Sequence, residues 1–178
     1  SKAINNKGDI ITADDFEYYK ANNILVALGD VEITDEVREI KIYSEKITYF
    51  KNEELILTTG NSKAINNEGD IITADDFEYD QIQDILKAKG KVKVEDTNQD
   101  YQIFSNNLTY YKSKEIIFSR GKTKALLNKK YNIISSNVNL DRNNKVITSE
   151  NFTTIEDNNS NYYELSKFKF LYENEILS

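Results

Sequence analysis

The sequence has 178 residues, with 23 Lys and Arg against 30 Asp and Glu, a net charge of −7 and a pI of about 4.8. That balance argues against nucleic acid, whose binding needs cations to neutralise phosphates, and no apolar run approaches the roughly 20 residues of a membrane-spanning helix. Cys and His are both absent, which removes disulfides, thiolate or imidazole metal sites and every Ser-His or Cys-His nucleophile.

Residues 1–18 read SKAINNKGDIITADDFEY and residues 62–79 read SKAINNEGDIITADDFEY, differing only at Lys7 and Glu68. More diverged copies follow the same frame, anchored at Ala13, Ser44, Ala74, Ser105, Ser135 and Leu165, in steps of 31, 30, 31, 30 and 30 residues. A period in this range means stacked supersecondary units, none of which buries its apolar face alone. The unbroken phase predicts one domain over 1–178. The first and last copies are cut mid-unit, so the stretch reads as part of a longer chain.

Each copy alternates at period two, the pattern of a half-buried strand. In the first copy Phe16 and Tyr18 precede a polar turn at 20–23, after which Leu25, Ala27, Gly29, Val31 and Ile33 share a face. Later copies keep the frame: Ile47, Tyr49 and Ile56; Phe77, Tyr79, Leu86, Val92 and Val94; Leu108, Tyr110 and Ile117. The fifth is weaker, with Val138, Leu140, Ile147, Ser149, Phe152 and Ile155, and with Asn151 in the slot that holds glycine at 29, 60, 90 and 121. Asn is the next residue after Gly to tolerate positive φ.

Between Ala13 and Phe16 the inward parity flips, and the flip repeats at Ser44 to Ile47, Ala74 to Phe77 and Ser105 to Leu108. Keeping both segments toward one interior requires an extra residue, a β-bulge expected here at the Asp14-Asp15 type of position. Pairing Tyr18 with Leu25, Phe16 with Ala27 and Ile11 with Ile33 sets Gly29 opposite Asp14. A bulge and a glycine at one height bend a sheet sharply. The expected fold is all-β, a folded-over, V-shaped antiparallel β-jellyroll built from bent hairpins, with about two strands per copy. A single-wound parallel β-helix is the rival, and the hairpin turns fit antiparallel pairing better.

With these copies in view, the chain resembles the lipopolysaccharide-transport family, which includes the periplasmic bridge protein and the OstA-like N-terminal domain of the outer-membrane lipopolysaccharide-assembly protein. The match rests on repeated A-D-x-F-x-Y, turn, I-L-x-A-x-G-x-V-x-V, best seen from Ala74 to Val94. The resemblance implies a jellyroll whose interior receives the acyl chains of lipid A, with no catalysis and no cofactor. It also implies edge-strand association with other jellyrolls of a transport bridge, a periplasmic location and, in one branch, an attached outer-membrane barrel.

The groove would then be lined by Phe16, Tyr18, Leu25, Val31, Ile33, Ile42, Ile47, Tyr49, Ile56, Ile72, Phe77, Tyr79, Leu86, Val92, Val94, Ile103, Leu108, Tyr110 and Ile117. The period-two pattern alone favours an ordinary dry core over a groove, and only the resemblance reverses that, so a structural or adhesive spacer with a filled interior is the alternative. Asp14-Asp15 and Asp75-Asp76 are adjacent strand residues that point to opposite faces, so their carboxylates do not converge on a metal or a reacting atom. Asp96 to Asp100 starts like a calcium loop, but Tyr101 stands where Gly is needed.

Overall fold

The computed structural model describes residues 1–5, 7–174 and 176–178, with Leu177 described by its backbone alone. The strands are β1 (Lys2–Ile4), β2 (Ile10–Thr12), β3 (Asp15–Tyr19), β4 (Ile24–Asp35), β5 (Ile40–Phe50), β6 (Leu55–Thr59), β7 (Ser62–Asn66), β8 (Ile71–Ala74), β9 (Asp76–Asp80) and β10 (Ile85–Glu95). They continue as β11 (Tyr101–Tyr111), β12 (Ile116–Arg120), β13 (Lys122–Leu127), β14 (Tyr131–Ser136), β15 (Asn139–Asp141), β16 (Val146–Ser149), β17 (Thr153–Asp157), β18 (Tyr162–Leu165), β19 (Phe168–Leu171) and β20 (Ile176–Leu177). One 3₁₀ turn, Lys112–Lys114, interrupts them.

Every pairing among the described strands is antiparallel, and the strands form one sheet folded into two halves. The first half runs β3, the start of β4, the end of β5, β6, β9, the start of β10, the end of β11, β12, β15, β16, β19, β20. The second runs β1, β2, the end of β4, the start of β5, β7, β8, the end of β10, the start of β11, β13, β14, β17, β18. The chain crosses from one half to the other about every fifteen residues, at one crease. This is the folded-over β-jellyroll that the bent-hairpin repeat predicts, with Tyr18 opposite Leu25, Phe16 opposite Ala27 and Ile11 opposite Ile33.

The crease differs from expectation in one respect. Leu28 pairs with Lys46 and Val31 with Ser44, so Gly29 and Asp30 together face Glu45. Likewise Gly90 and Lys91 face Asn106. The additional residue therefore sits on the glycine strand, not at the Asp14-Asp15 type of position. Gly29 and Asp30 are both left-handed, at φ +77 and +43. That consecutive pair turns the strand out of one half-sheet and into the other. A Cβ on Gly29 would also collide with the Asp14 carboxylate, and one on Gly90 with that of Asp75.

Small hydroxyl side chains satisfy backbone groups that the bend pulls out of the ladder. Thr58 Oγ1 accepts from the Phe77 amide at 2.8 Å, and Ser119 Oγ accepts from Val138 at 3.1 Å, the same bond one pair of repeats later. In the fifth copy the bend is made differently. Asn151 does not take the left-handed backbone expected of it, and its amide bonds instead to Ser136 O at 3.0 Å. Asn137, across the crease from Gly121, has φ +53. Phe152 is correspondingly 62% exposed, and Thr153 and Ile155 take the interior.

Candidate functional site

The space between the half-sheets is the one place where the expected groove residues converge. Val31, Ile33, Ile42, Ile47, Tyr49, Ile56, Ile72, Phe77, Tyr79, Leu86, Val92, Val94, Ile103, Leu108, Tyr110 and Ile117 are all buried in a single apolar cluster. Phe16 and Leu25 pack against its end, half-buried, and Tyr18 is 53% exposed there. The cluster extends further than the expected groove. Ile40, Tyr101, Leu127, Ile133, Leu140, Ile147 and Phe170 belong to it too, and one more step of the same alternation past Ile103 would have reached Tyr101.

Among the described residues this interior is close-packed. A small cavity at its edge, bounded by Ile40, Ala64, Ile72, Val94, Tyr110 and Ile117 and by the polar Asn66, Asp70 and Arg142, is about 10 Å³, no more than one water needs. At the β1/β3 end the interior opens into a recess of about 210 Å³ lined by Ala3, Ile4, Ile11, Tyr18, Leu25 and Tyr49, with Asn5 and Lys51 at its rim. Burial raises the Tyr79 phenol above its ordinary pKa, so it stays protonated and donates to Asp84 at 3.2 Å.

Opposite the crease, the turns of the two halves approach each other as two lips. The turns at 20–23, 51–54, 81–84, 112–115 and 142–145 form one lip, and those at 36–39, 67–70, 96–100, 128–130 and 158–161 form the other. Polar side chains join them. Gln81 Nε2 donates to Asp9 Oδ2 and Asp35 Oδ2, both at 2.9 Å, and Arg38 Nε donates back to Gln81 O at 2.7 Å. Lys7 pairs with Glu54, and Asn5 reaches Tyr49 Oη at 3.2 Å.

Further along, Arg142 crosses the seam to Asp70 and to Glu68 at 2.7 Å, and on its own lip meets Glu115 and the Tyr110 hydroxyl, the latter at 2.9 Å. Burial opposes its charge, but Tyr101, Tyr110, Asp70 and Glu115 hold its pKa above the ordinary value. Beyond Arg142 the lips stand apart around a polar recess of about 960 Å³ bearing Asp96, Asp100, Lys129, Lys145 and Glu173. They meet again where Asn128 Nδ2 donates to Tyr172 O at 3.0 Å and the Tyr101 and Tyr172 rings make an edge contact at 5.6 Å. Gln81, Arg38 and Arg142 lie outside the groove expected from the sequence, whereas Tyr49 and Tyr110 belong to it. The available signal is at the first turn position, where Lys20, Lys51 and Lys112 are lysine but Gln81, Arg142 and Tyr172 are not.

Adjacent carboxylates do not gather into a metal site: among the described residues no group of three or more Asp or Glu could hold an ion. Asp96 instead closes its own turn, accepting from the Tyr101 amide at 3.1 Å.

By sequence, no curated protein matches the chain. Among solved structures, LptH of Pseudomonas aeruginosa, described as the LptA-homologous periplasmic component of the conserved lipopolysaccharide transport device, aligns with a TM-score of 0.58. It is 16% identical, over 64% of this chain and 82% of LptH, so the likeness is one of fold. The profile of OstA-like proteins matches residues 1–136. The match spans most of the creased hairpin repeat, and the chain belongs to the OstA-like proteins.

Proposed function

We propose that the protein is a non-enzymatic module of lipopolysaccharide transport, which shields lipid A acyl chains between its half-sheets and hands them on toward the outer membrane. The observation that carries this reading is the continuous apolar interior, which runs the length of the folded sheet and opens beside Tyr18 and Leu25. Each acyl CH₂ taken out of water contributes about 0.8 kcal/mol, so several chains hold a lipid without polar recognition. Family membership and the likeness to a periplasmic transport component support the cargo and a periplasmic location.

Edges supply the partners. β3 pairs only with β4 among the described strands, and Ile4, Tyr18 and Tyr19 beside that edge are 62%, 53% and 51% exposed. At the far end Tyr162 and Tyr163 on β18 are 60% and 43% exposed. An open edge with apolar side chains takes a strand from another jellyroll, so that troughs join end to end.

One observation favours a second reading, a spacer with a filled core: the interior holds a cavity of only about 10 Å³, so chains enter only if the halves separate. Photocrosslinking residues at Tyr79 or Leu86, against outward controls at Lys87 or Lys89, divide the two. Transport predicts lipopolysaccharide adducts from the inward pair alone. Labelling only from the outward pair would favour the spacer.

A further inference from the structure

The seam carries the same clasp twice, and the two copies are not equally well made. Asn5, Asp9, Tyr49 and Gln81 recur 61 residues later as Asn66, Asp70, Tyr110 and Arg142. Their backbones match: the Gln81 amide donates to Glu54 O and the Arg142 amide to Glu115 O, each at 3.0 Å. In the second clasp a guanidinium, with five donors, meets Glu68, Asp70 and Glu115. No side-chain atom of Glu68, Asp70, Glu115 or Arg142 is left buried without a partner, although the Tyr101 hydroxyl beside Arg142 is.

In the first clasp one amide nitrogen of Gln81 is divided between two carboxylates, and Asp9 Oδ1 and Gln81 Oε1 are buried with no donor at all. Arg38 does not fill the gap: its guanidinium is engaged with Asp35 on its own lip and, across the seam, with Gln81 O and with Glu54 at 3.8 Å. Buried acceptors without donors destabilise the closed state, and water satisfies them once the lips part. On either side of this clasp the lip tips are apolar, with Val37 73% and Ile82 66% exposed. Directly behind it lie Tyr49 and Tyr79 of the interior.

We propose that the seam is a side gate to the interior that opens at the clasp keyed by Gln81, while the clasp keyed by Arg142 holds the lips together further along. The gate is a property of the chain alone, independent of the cargo reading, and its test contains no lipid.

The absence of native cysteine lets nitroxide labels be placed in pairs on the full chain. Glu36→Cys with Gln83→Cys spans the first clasp, and Asn67→Cys with Asn143→Cys spans the second. Double electron–electron resonance should give two distances across the first clasp and one short distance across the second. Gln81→Arg, which installs the key of the second clasp, should lower the longer-distance population about tenfold. Gln81→Ala should raise it, with circular dichroism and the second pair unchanged. A single short distance at both clasps, a long population untouched by Gln81→Arg, or equal opening at both clasps would overturn the assignment.

Discussion

Two stretches of this molecule are identical but for one residue and live in different surroundings. In residues 62–79, Phe77 is 3% exposed and Tyr79 0%. Their counterparts in residues 1–18 are a half-buried Phe16 and a Tyr18 that is 53% exposed. The cause is the neighbour. β9 lies between β6 and β10, whereas among the described strands β3 has only β4. On the other side of the crease the copies agree, since β2 sits between β1 and β4 just as β8 sits between β7 and β10; Ile11 and Ile72 are 2% and 5% exposed. Sequence decides which way a side chain points, and the adjacent strand decides whether it is buried.

The difference between the two copies should be greatest in stability. Tyr79→Ala empties a fully enclosed site and should cost about 3–5 kcal/mol in denaturant unfolding, as large aromatic truncations do. Tyr18→Ala, in the same local sequence, should cost under ~1 kcal/mol. Similar losses at both positions would mean that the edge copy is packed as tightly as the central one.

A smaller effect separates the two clasps. Burial, more than the neighbouring charge of Asp35, raises the Asp9 carboxyl above its ordinary pKa, against the opposing hydrogen bonds from Gln81 and Asn5 and the Arg38 charge. The folded state then holds this proton more tightly than the unfolded chain does. Its contribution to stability is present at low pH and is lost as pH rises through the folded value. Asp9→Asn should therefore flatten that part of the pH–stability profile and stabilise the protein near pH 7 by about 1 kcal/mol. Unfolding midpoints measured across pH 4 to 8 check the sign. A variant less stable than the parent at pH 7 would show that the charge on Asp9 is needed where it stands.

Much of the architecture was legible because strands announce their faces. The parity of Phe16, Tyr18, Leu25, Ala27 and Ile33 gives the pairing of the first hairpin and the height of the crease. Parity shows that two strands mismatch by one residue but not which of them carries the surplus, so it points to the aspartates although Gly29 and Asp30 carry it. Asn151 misled for a related reason. A residue able to adopt positive φ need not do so where the opposite strand bends through Asn137. The lips show in the sequence only as a break in the turn lysines Lys20, Lys51 and Lys112 at Gln81 and Arg142. Gln81 gains its role only from the arrival of Asp9 and Asp35, 72 and 46 residues away in the chain.

Acyl chains lying between the half-sheets would pass magnetisation to the side chains that face them. With lipopolysaccharide bound to methyl-labelled protein, isotope-filtered NOEs should link acyl-chain protons to the inward methyls of Ile56 and Leu86. The outward methyls of Leu57 and Ile134 should show none. NOEs confined to the outward set, with Ile56 and Leu86 unperturbed at saturating lipid, would contradict the account and leave a closed β-spacer in its place.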